Sequence, residues 1–351
     1  MTRTQALGLT AAVGATFLLS RLARASRAID FAGKSVLIVG GSRGLGLVIA
    51  RELAAERAHV TLAARDSEEL ERARVDLRDR GFSATTISCD VRERRDADAA
   101  IKQVIDARGT IDVLINAAGI IQVGPLEHMT IADFEDAMAT HFWGPLFTML
   151  AALPHMRRRG ARRIVNISSI GGKIAVPHLL PYCSSKFALT GLSDGLRAEL
   201  ARDGFHVTTV CPGLMRTGST YNARFKGNHR AEFTWFHLAD SIRGLSVDAR
   251  LAARQIIDAC RHGDPELIIT SPARIAVLLN AVNPALLARA MAFVNVLLPR
   301  GGHPNGDTSR SGWQSVSRLA PSPLTRLTDR ASVENNERPT AASAPMKPSL
   351  A

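Results

Sequence analysis

Tyr182 and Lys186 lie four residues apart in the segment PYCSSKFAL, in a chain of 351 residues that has only two tyrosines. If this segment is helical, both side chains lie on one face, one turn apart. A free phenol has a pKa of about 10, and a nearby ammonium group is expected to lower it by favouring the phenolate. Such a tyrosine could exchange a proton with a substrate oxygen while hydride moves at the adjacent carbon. The spacing alone also occurs by coincidence on helix surfaces.

Two serines precede this pair along the chain. Ser168 and Ser169 follow the apolar run that ends in VNISS. A hydroxyl at the end of a strand could hydrogen-bond the same substrate oxygen as its charge changes. The sequence therefore predicts a reaction site that combines a serine, a tyrosine and a lysine.

A glycine-rich turn lies near the start of the chain. Gly40, Gly44 and Gly46 follow the apolar run SVLIV and precede a helical pattern. Glycine permits a tight turn and close approach of a pyrophosphate, and the helix N-terminus supplies N–H groups and a positive dipole end. The strand before and the helix after the turn favour a dinucleotide site over a structural glycine turn.

The end of the second apolar run bears on the choice of cofactor. Ala64 occupies the place where a carboxylate would hold the ribose 2′-hydroxyl of NAD, and Arg65 follows it. Arg43, inside the glycine turn, is a second cation. Guanidinium groups recognise phosphate through paired N–H donors, so the sequence favours NADP over NAD. The neighbouring Asp66 is expected to cap the next helix.

The elements that position these residues alternate regularly between residues 31 and 270. Seven apolar runs have strand length: SVLIVG, HVTLAA, ATTISC, IDVLINA, RRIVNIS, HVTTVC and ELIIT. Helical patterns separate them. Continuous apolar strands joined by helices predict one doubly wound α/β domain with a parallel, Rossmann-like sheet covered on both faces.

Together, these motifs resemble the short-chain dehydrogenase/reductase family of the compact single-domain type, over residues 33 to 270. They occur in family order as GGSRGLG, CDV, NAAG, Ser169, YCSSK and CPGLMRT. The resemblance implies that Tyr182 is the general acid/base, that Lys186 lowers its pKa and binds the nicotinamide ribose, and that Ser169 orients the substrate oxygen. It also implies that Asp90 faces the adenine. The residues expected to hold the cofactor are Gly40, Ser42, Arg43, Gly44, Leu45, Gly46, Arg65, Asp90, Val91, Asn116, Ala117, Gly119, Tyr182, Lys186, Pro212, Gly213 and Thr217.

Two positions depart from the family pattern. Val39 stands where threonine is usual, at the cost of a local hydrogen bond. His141 stands where the family generally has an asparagine that supports a proton-relay water beside the lysine. Histidine can donate, accept and titrate near neutrality, so we count it with the catalytic residues. The alternatives are an impaired relay and a packed histidine without a role.

The expected function is NADP-dependent interconversion of a carbonyl and a secondary alcohol. The alternative is a non-catalytic, membrane-associated NADP-binding protein. An aromatic patch formed by Tyr221, Phe225, Phe233, Trp235 and Phe236 follows Thr217. It indicates an apolar substrate, or else the core of a lid.

Composition limits the other function classes. The net charge is +12, but the densest basic cluster, RRRGARR, lacks the interleaved aromatic residues of a nucleic-acid platform, so no nucleic acid is expected. The four cysteines are far apart and without metal spacing, so neither a metal site nor a disulfide framework is predicted, and a reducing compartment fits. The family resemblance is compatible with a homo-oligomer.

Both ends of the chain raise the question of a membrane. Residues 4 to 20 carry no charge and are followed by Arg21, Arg24 and Arg27. A cleaved signal peptide, a membrane anchor and a mobile helix are the alternatives for residues 1–30, and the charge bias favours an anchor with the enzyme on the cytoplasmic side. Residues 271–300 predict two short amphipathic helices broken at Pro284 that could touch a bilayer. From Gly301 to the end, the composition predicts disorder.

Overall fold

The computed structural model describes residues 21–302 and 305–337. The strands are β1 (Ser35–Val39), β2 (His59–Ala64), β3 (Ala84–Ser88), β4 (Val113–Asn116), β5 (Gln122–Val123), β6 (Arg163–Ile167), β7 (His206–Pro212), β8 (Leu214–Arg216), β9 (Arg224–Phe225), β10 (Ser246–Asp248), β11 (Glu266–Ile269) and β12 (Arg310–Ser311). The α-helices are α1 (Gly44–Ala55), α2 (Ser67–Asp79), α3 (Arg94–Arg108), α4 (Ile131–Met138), α5 (Gly144–Arg158), α6 (Leu180–Leu200), α7 (His229–Ser241), α8 (Ala249–His262), α9 (Ser271–Val282), α10 (Pro284–Leu297) and α11 (Arg326–Glu334).

The seven predicted apolar runs form one parallel sheet, in the order β11-β7-β6-β4-β1-β2-β3. All five residues of β1 are buried, which is why the run reads as continuously apolar. In register, Ile38 of β1 lies between Leu62 of β2 and Ile115 of β4. The strand order reverses on either side of β1, and ligands of open α/β sheets bind at the carboxyl ends of the strands at such a point.

Helices cover both faces of the sheet. One apolar cluster packs α1, α2 and α8 against it, with Leu47, Leu77 and Ile256 fully buried. The other packs α3, α5 and the end of α6, with Ile101 and Met149 fully buried. This confirms the doubly wound α/β prediction.

A third apolar cluster lies above the carboxyl ends of the strands. It contains Phe225 and Phe233, both fully buried, and Tyr182 packs against it. Trp313 and Val316, from the chain beyond α10, also pack there. The aromatic patch therefore forms the core of a lid beside Tyr182.

Residues 305–337 are ordered, so the prediction of disorder from Gly301 onward is wrong for this stretch. Arg310 and Ser311 pair antiparallel with β9, and the Trp313 ring stacks 4.2 Å from that of Tyr221. Asp329 accepts hydrogen bonds from Tyr221 and His237. The composition suggested disorder because the segment has few apolar residues, but its polar side chains find partners on the lid. Residues 338–351 lie outside the described part of the chain.

The N-terminal apolar segment, residues 4 to 20, also lies outside the described residues. The chain just after it belongs to the folded domain, since Arg24 pairs with Asp258 and Asp264 and Arg163 donates to the carbonyl of Arg27. No helix within residues 21–302 and 305–337 combines the length and the apolar character needed to cross a bilayer.

Candidate active site

A cleft of about 350 Å³ opens at the carboxyl ends of the central strands. It joins the two predicted sites, because the glycine turn and Ser169, Tyr182 and Lys186 all line it. The cofactor candidates that line it are Gly40, Ser42, Arg43, Gly44, Leu45, Gly46, Arg65, Asp90, Val91, Ala117, Gly119, Tyr182, Lys186, Pro212, Gly213 and Thr217.

The glycine turn has the conformation that its sequence predicts. Gly40 has φ +83° and Gly44 has φ +56°, values that L side chains rarely adopt. A Cβ on Gly40 would clash with the backbone of Ala118, and one on Gly46 would clash with the carbonyl of Gly40. Only glycine at these positions lets the turn close at the start of α1, where a helix N-terminus favours anions.

The reaction end is assembled from β6 and α6. Ser169 follows β6, and its hydroxyl accepts the N–H of Gly171 at 3.0 Å and hydrogen-bonds Tyr182. Tyr182 and Lys186 lie one turn apart on α6, and the Lys186 Nζ is 5.7 Å from the phenol ring centroid. Ser168 instead bonds the carbonyl of Lys186 and the Thr190 hydroxyl, so it fastens α6 to the sheet.

The pKa of the Tyr182 phenol moves opposite to the prediction. Burial raises it to about 12, and the hydrogen bond from Ser169 only partly opposes this. Lys186 is buried as well, and this burial lowers the pKa of its ammonium group to about 7. Lys186 Nζ donates to the carbonyl of Ile167 at 2.8 Å. The sequence predicts that the Lys186 ammonium lies near the Tyr182 phenol. It does not show that both groups are removed from water in the fold.

His141 lies behind the cleft and is fully buried. Its Nε2 accepts the N–H of Ile120 at 3.1 Å, so its Nδ1 carries the proton and lies 2.7 Å from the Ser185 hydroxyl. Burial, together with the charge of Lys186, holds the pKa of His141 well below its ordinary value. With both nitrogens engaged and the ring neutral, the geometry favours a positioning role over relay of a proton by the side chain.

Comparison with known proteins assigns the family. The family model described as short chain dehydrogenase matches residues 34–226. The chain is 34% identical over 238 residues to the ketoacyl reductase HetN of Nostoc sp., covering 68% of this chain and 78% of that one. It is 30% identical over 287 residues to the dehydrogenase/reductase SDR family member 7B of Danio rerio, covering 80% and 91%. This chain belongs to the short-chain dehydrogenases.

Solved structures of short-chain dehydrogenases have the same fold. A dehydrogenase/reductase from Sinorhizobium meliloti 1021 superposes with a TM-score of 0.61 at 29% identity, covering 70% of this chain and 97% of that one. A gluconate 5-dehydrogenase from Burkholderia cenocepacia J2315, solved in complex with NADP and tartrate, gives 0.60 at 26% identity, covering 70% and 96%. The family and the intact serine, tyrosine and lysine make this chain a dehydrogenase/reductase rather than a non-catalytic binding protein.

One predicted cofactor residue of this short-chain dehydrogenase lies away from the cleft. The Asn116 side chain donates to Asn166 at 2.9 Å and accepts from Thr148 at 2.8 Å. It is buried between β4, β6 and α5. Asn116 therefore supports the sheet beneath the site, while Ala117 and Gly119 line the cleft.

Six polar residues of the cleft were missed from the sequence: Glu69, Arg92, Thr140, Ser219, Asn222 and Glu337. Glu69 had a local signal, because it lies three residues after Asp66, which caps α2 as predicted. Its carboxylate accepts from the Ser42 hydroxyl and lies 3.5 Å from Arg43. Glu337 had no signal, since nothing near it in the sequence indicates that residues 335–337 return to the glycine turn.

Proposed function

We propose that this short-chain dehydrogenase uses NADP to interconvert a carbonyl and a secondary alcohol, with Tyr182 as the general acid/base. The observation that carries the proposal is the meeting of Ser169, Tyr182 and Lys186 with the glycine turn in one cleft. The nicotinamide cofactor, when bound, supplies or accepts the hydride. The side chains then have only to orient the substrate oxygen and move one proton.

The protonation state of Tyr182 suits it to reduction. A phenol whose pKa is raised to about 12 keeps its proton at neutral pH. It can therefore donate that proton to a carbonyl oxygen as negative charge develops there. Ser169, already hydrogen-bonded to Tyr182, can hold the same oxygen.

The choice of NADP rests on two arginines. Arg43 and Arg65 line the adenosine end of the cleft, β2 ends at Ala64 rather than at a carboxylate, and the Asp66 carboxylate caps α2. The Arg65 side chain is half-exposed, and its Nη1 lies 4.0 Å from Asp90 Oδ2. Its guanidinium group therefore remains accessible to a 2′-phosphate. Glu69 opposes this preference, because its carboxylate is close to Arg43. The relative from Burkholderia cenocepacia, solved with NADP, supports the same choice.

An apolar substrate fits the surroundings of Tyr182. Ile121 packs against the same apolar cluster as Tyr182 and lines the cleft, as do the side chains of Ile120 and Met215. These side chains can bury a hydrocarbon beside the reacting oxygen. One relative named above is a ketoacyl reductase and another is a gluconate 5-dehydrogenase, so the substrate is defined here by class alone.

A substrate panel tests this function. Purified protein is mixed with NADPH or NADH and with aldehydes and ketones of increasing alkyl length. We expect NADPH oxidation that grows in kcat/KM with chain length, and weaker activity with NADH. Activity confined to short polar substrates would refute the apolar pocket, and equal use of NADH would refute the role of the two arginines.

We also propose that α9 and α10 contact an anionic lipid surface. Six large apolar side chains on these helices are at least 65% exposed: Ile275, Leu278, Val282, Phe293, Val296 and Leu297. Residues 271–300 contain three arginines and no acidic residue. This combination of apolar area and positive charge is complementary to the headgroup region of an anionic bilayer.

A further inference from the structure

The last described residues of the chain bind the glycine turn. The carbonyl oxygen of Asn335 accepts the N–H of Gly44 at 2.8 Å. The side-chain amide of Asn336 donates to the carbonyls of Ser42 and Glu69, at 2.8 and 3.0 Å. One N–H at the mouth of α1, in the part of the chain expected to face phosphate, is thus already occupied by the protein itself.

Glu337 extends this contact into the cleft. Its side chain is only 3% exposed, and it lines the cleft beside the glycine turn. A Cβ placed on Gly44 would lie 2.6 Å from its Oε1. Its Oε2 accepts from the amide of Asn222 and lies 3.7 Å from the guanidinium of Arg43.

The Glu337 carboxylate lies at the place where the glycine turn is expected to bind a phosphate of the cofactor. A glycine turn at a helix N-terminus with an arginine beside it is a phosphate-binding arrangement. A buried carboxylate and a dinucleotide phosphate at this point would repel each other, since like charges interact strongly where water is excluded. Glu69 already provides one negative charge next to Arg43. The same space cannot stabilise all of these anions together.

Residues 305–334 have contacts of their own that do not depend on residues 335–337. Asp329 bonds Tyr221 at 2.6 Å and His237 at 2.9 Å, and Trp313 stacks on Tyr221. Residues 335–337 add bonds to Arg51, Arg72 and Thr217. The end of the segment can therefore leave the cleft while its beginning stays packed on the lid.

We propose that residues 335–337 are a built-in competitor of the dinucleotide, held in the phosphate-binding part of the cofactor site until the cofactor displaces them. This inference rests on the proposed function only in requiring that the dinucleotide binds at the glycine turn. The chain thereby lowers its own affinity for the cofactor, and any event that holds residues 335–337 away would raise that affinity.

Substitution Glu337→Gln in the full chain tests the competition. Glutamine keeps the shape and can still accept from Asn222, but it removes the negative charge. We expect NADPH, followed by its fluorescence, to bind Glu337→Gln at least tenfold more tightly than the unchanged protein. The matched control is Glu334→Gln on the exposed side of α11 (side chain 62% exposed), for which we expect no change. Equal or weaker NADPH binding by Glu337→Gln would overturn the inference.

Tryptic cleavage gives a second readout that does not depend on the variant. Arg330 is exposed on α11, close to the end that must move. We expect saturating NADPH to speed cleavage after Arg330 in the unchanged protein, and protection by NADPH would overturn the inference. If neither NADPH nor NADH binds the unchanged protein or Glu337→Gln, the dinucleotide site itself fails. If NADPH binds both proteins equally, only the competition fails.

Discussion

Arg43 and Arg65 approach the adenosine end of the cleft from two different elements, the glycine turn and the end of β2. We expect the double substitution Arg43→Ala and Arg65→Ala to weaken NADPH binding about tenfold or more, because each charged hydrogen bond to the 2′-phosphate is lost. NADH has no such phosphate and should lose little affinity. The measurement is cofactor titration by fluorescence.

Arg78→Ala is the control for these arginines, since Arg78 is exposed on α2 and pairs only with its neighbour Asp79 among the described ion pairs. It should leave both cofactors unaffected. Equal losses of NADPH and NADH in the double variant would mean that the arginines support the fold rather than the specificity.

His141 is the second test at the scale of single residues. Asparagine can accept the N–H of Ile120 through its side-chain oxygen, whereas alanine cannot. We therefore expect His141→Asn to retain activity within a few-fold and His141→Ala to lose much more. If the imidazole itself relays protons, both variants will be equally impaired.

The same histidine gives a pH dependence with a defined sign. Its pKa in the folded protein lies well below the ordinary value of 6.5 because of burial. Below pH 6.5 the unfolded chain then binds more protons than the folded one, so the stability falls as the pH falls. Thermal melting should show that His141→Asn loses less Tm between pH 7 and pH 5 than the unchanged protein. An equal loss in both would assign the acid sensitivity to other groups.

Among the elements, the strands were predictable and the C-terminal segment was not. The central strands β1, β4 and β6 are buried at every position, so each reads as an apolar run that stands out in the sequence, and the flanking strands β3 and β11 are only partly buried. The two amphipathic helices were also predictable, since Pro284 interrupts the pattern and opens α10. Residues 305–337 pack through polar contacts such as that of Asp329 with His237, two residues that lie 92 positions apart in the sequence. Contacts between such distant residues cannot be predicted from composition.

The exposed face of α9 and α10 is tested by vesicle binding. We expect the full chain to cosediment with vesicles of anionic lipid more than with neutral ones. The double substitution Phe293→Ser and Val296→Ser removes two of the six apolar side chains of these helices that are at least 65% exposed and should abolish most of that binding. Leu251→Ser on α8, at a site 51% exposed, is the matched control. Binding that survives the double substitution would place the contact elsewhere in the chain.

At the scale of the whole molecule, the candidate site lies at the carboxyl end of the sheet. The carboxyl ends of β1 and β4 hold the glycine turn and residues 117–119, while those of β6 and β7 supply Ser169 and the Pro212 segment. This arrangement could be predicted because every motif except YCSSK follows an apolar run, and YCSSK has the spacing of one helical turn. The electrostatics could not, since the pKa values of Tyr182 and Lys186 depend on burial by the lid and by α6.

The central claim is that Tyr182 transfers the proton, and Tyr182→Phe tests it most directly. Phenylalanine keeps the ring and its packing against the lid but has no proton to give. With NADPH and the best carbonyl substrate of the panel, we predict that turnover falls by about a hundredfold or more while the Kd for NADPH stays the same. Near-normal turnover in Tyr182→Phe with unchanged NADPH binding would contradict the account.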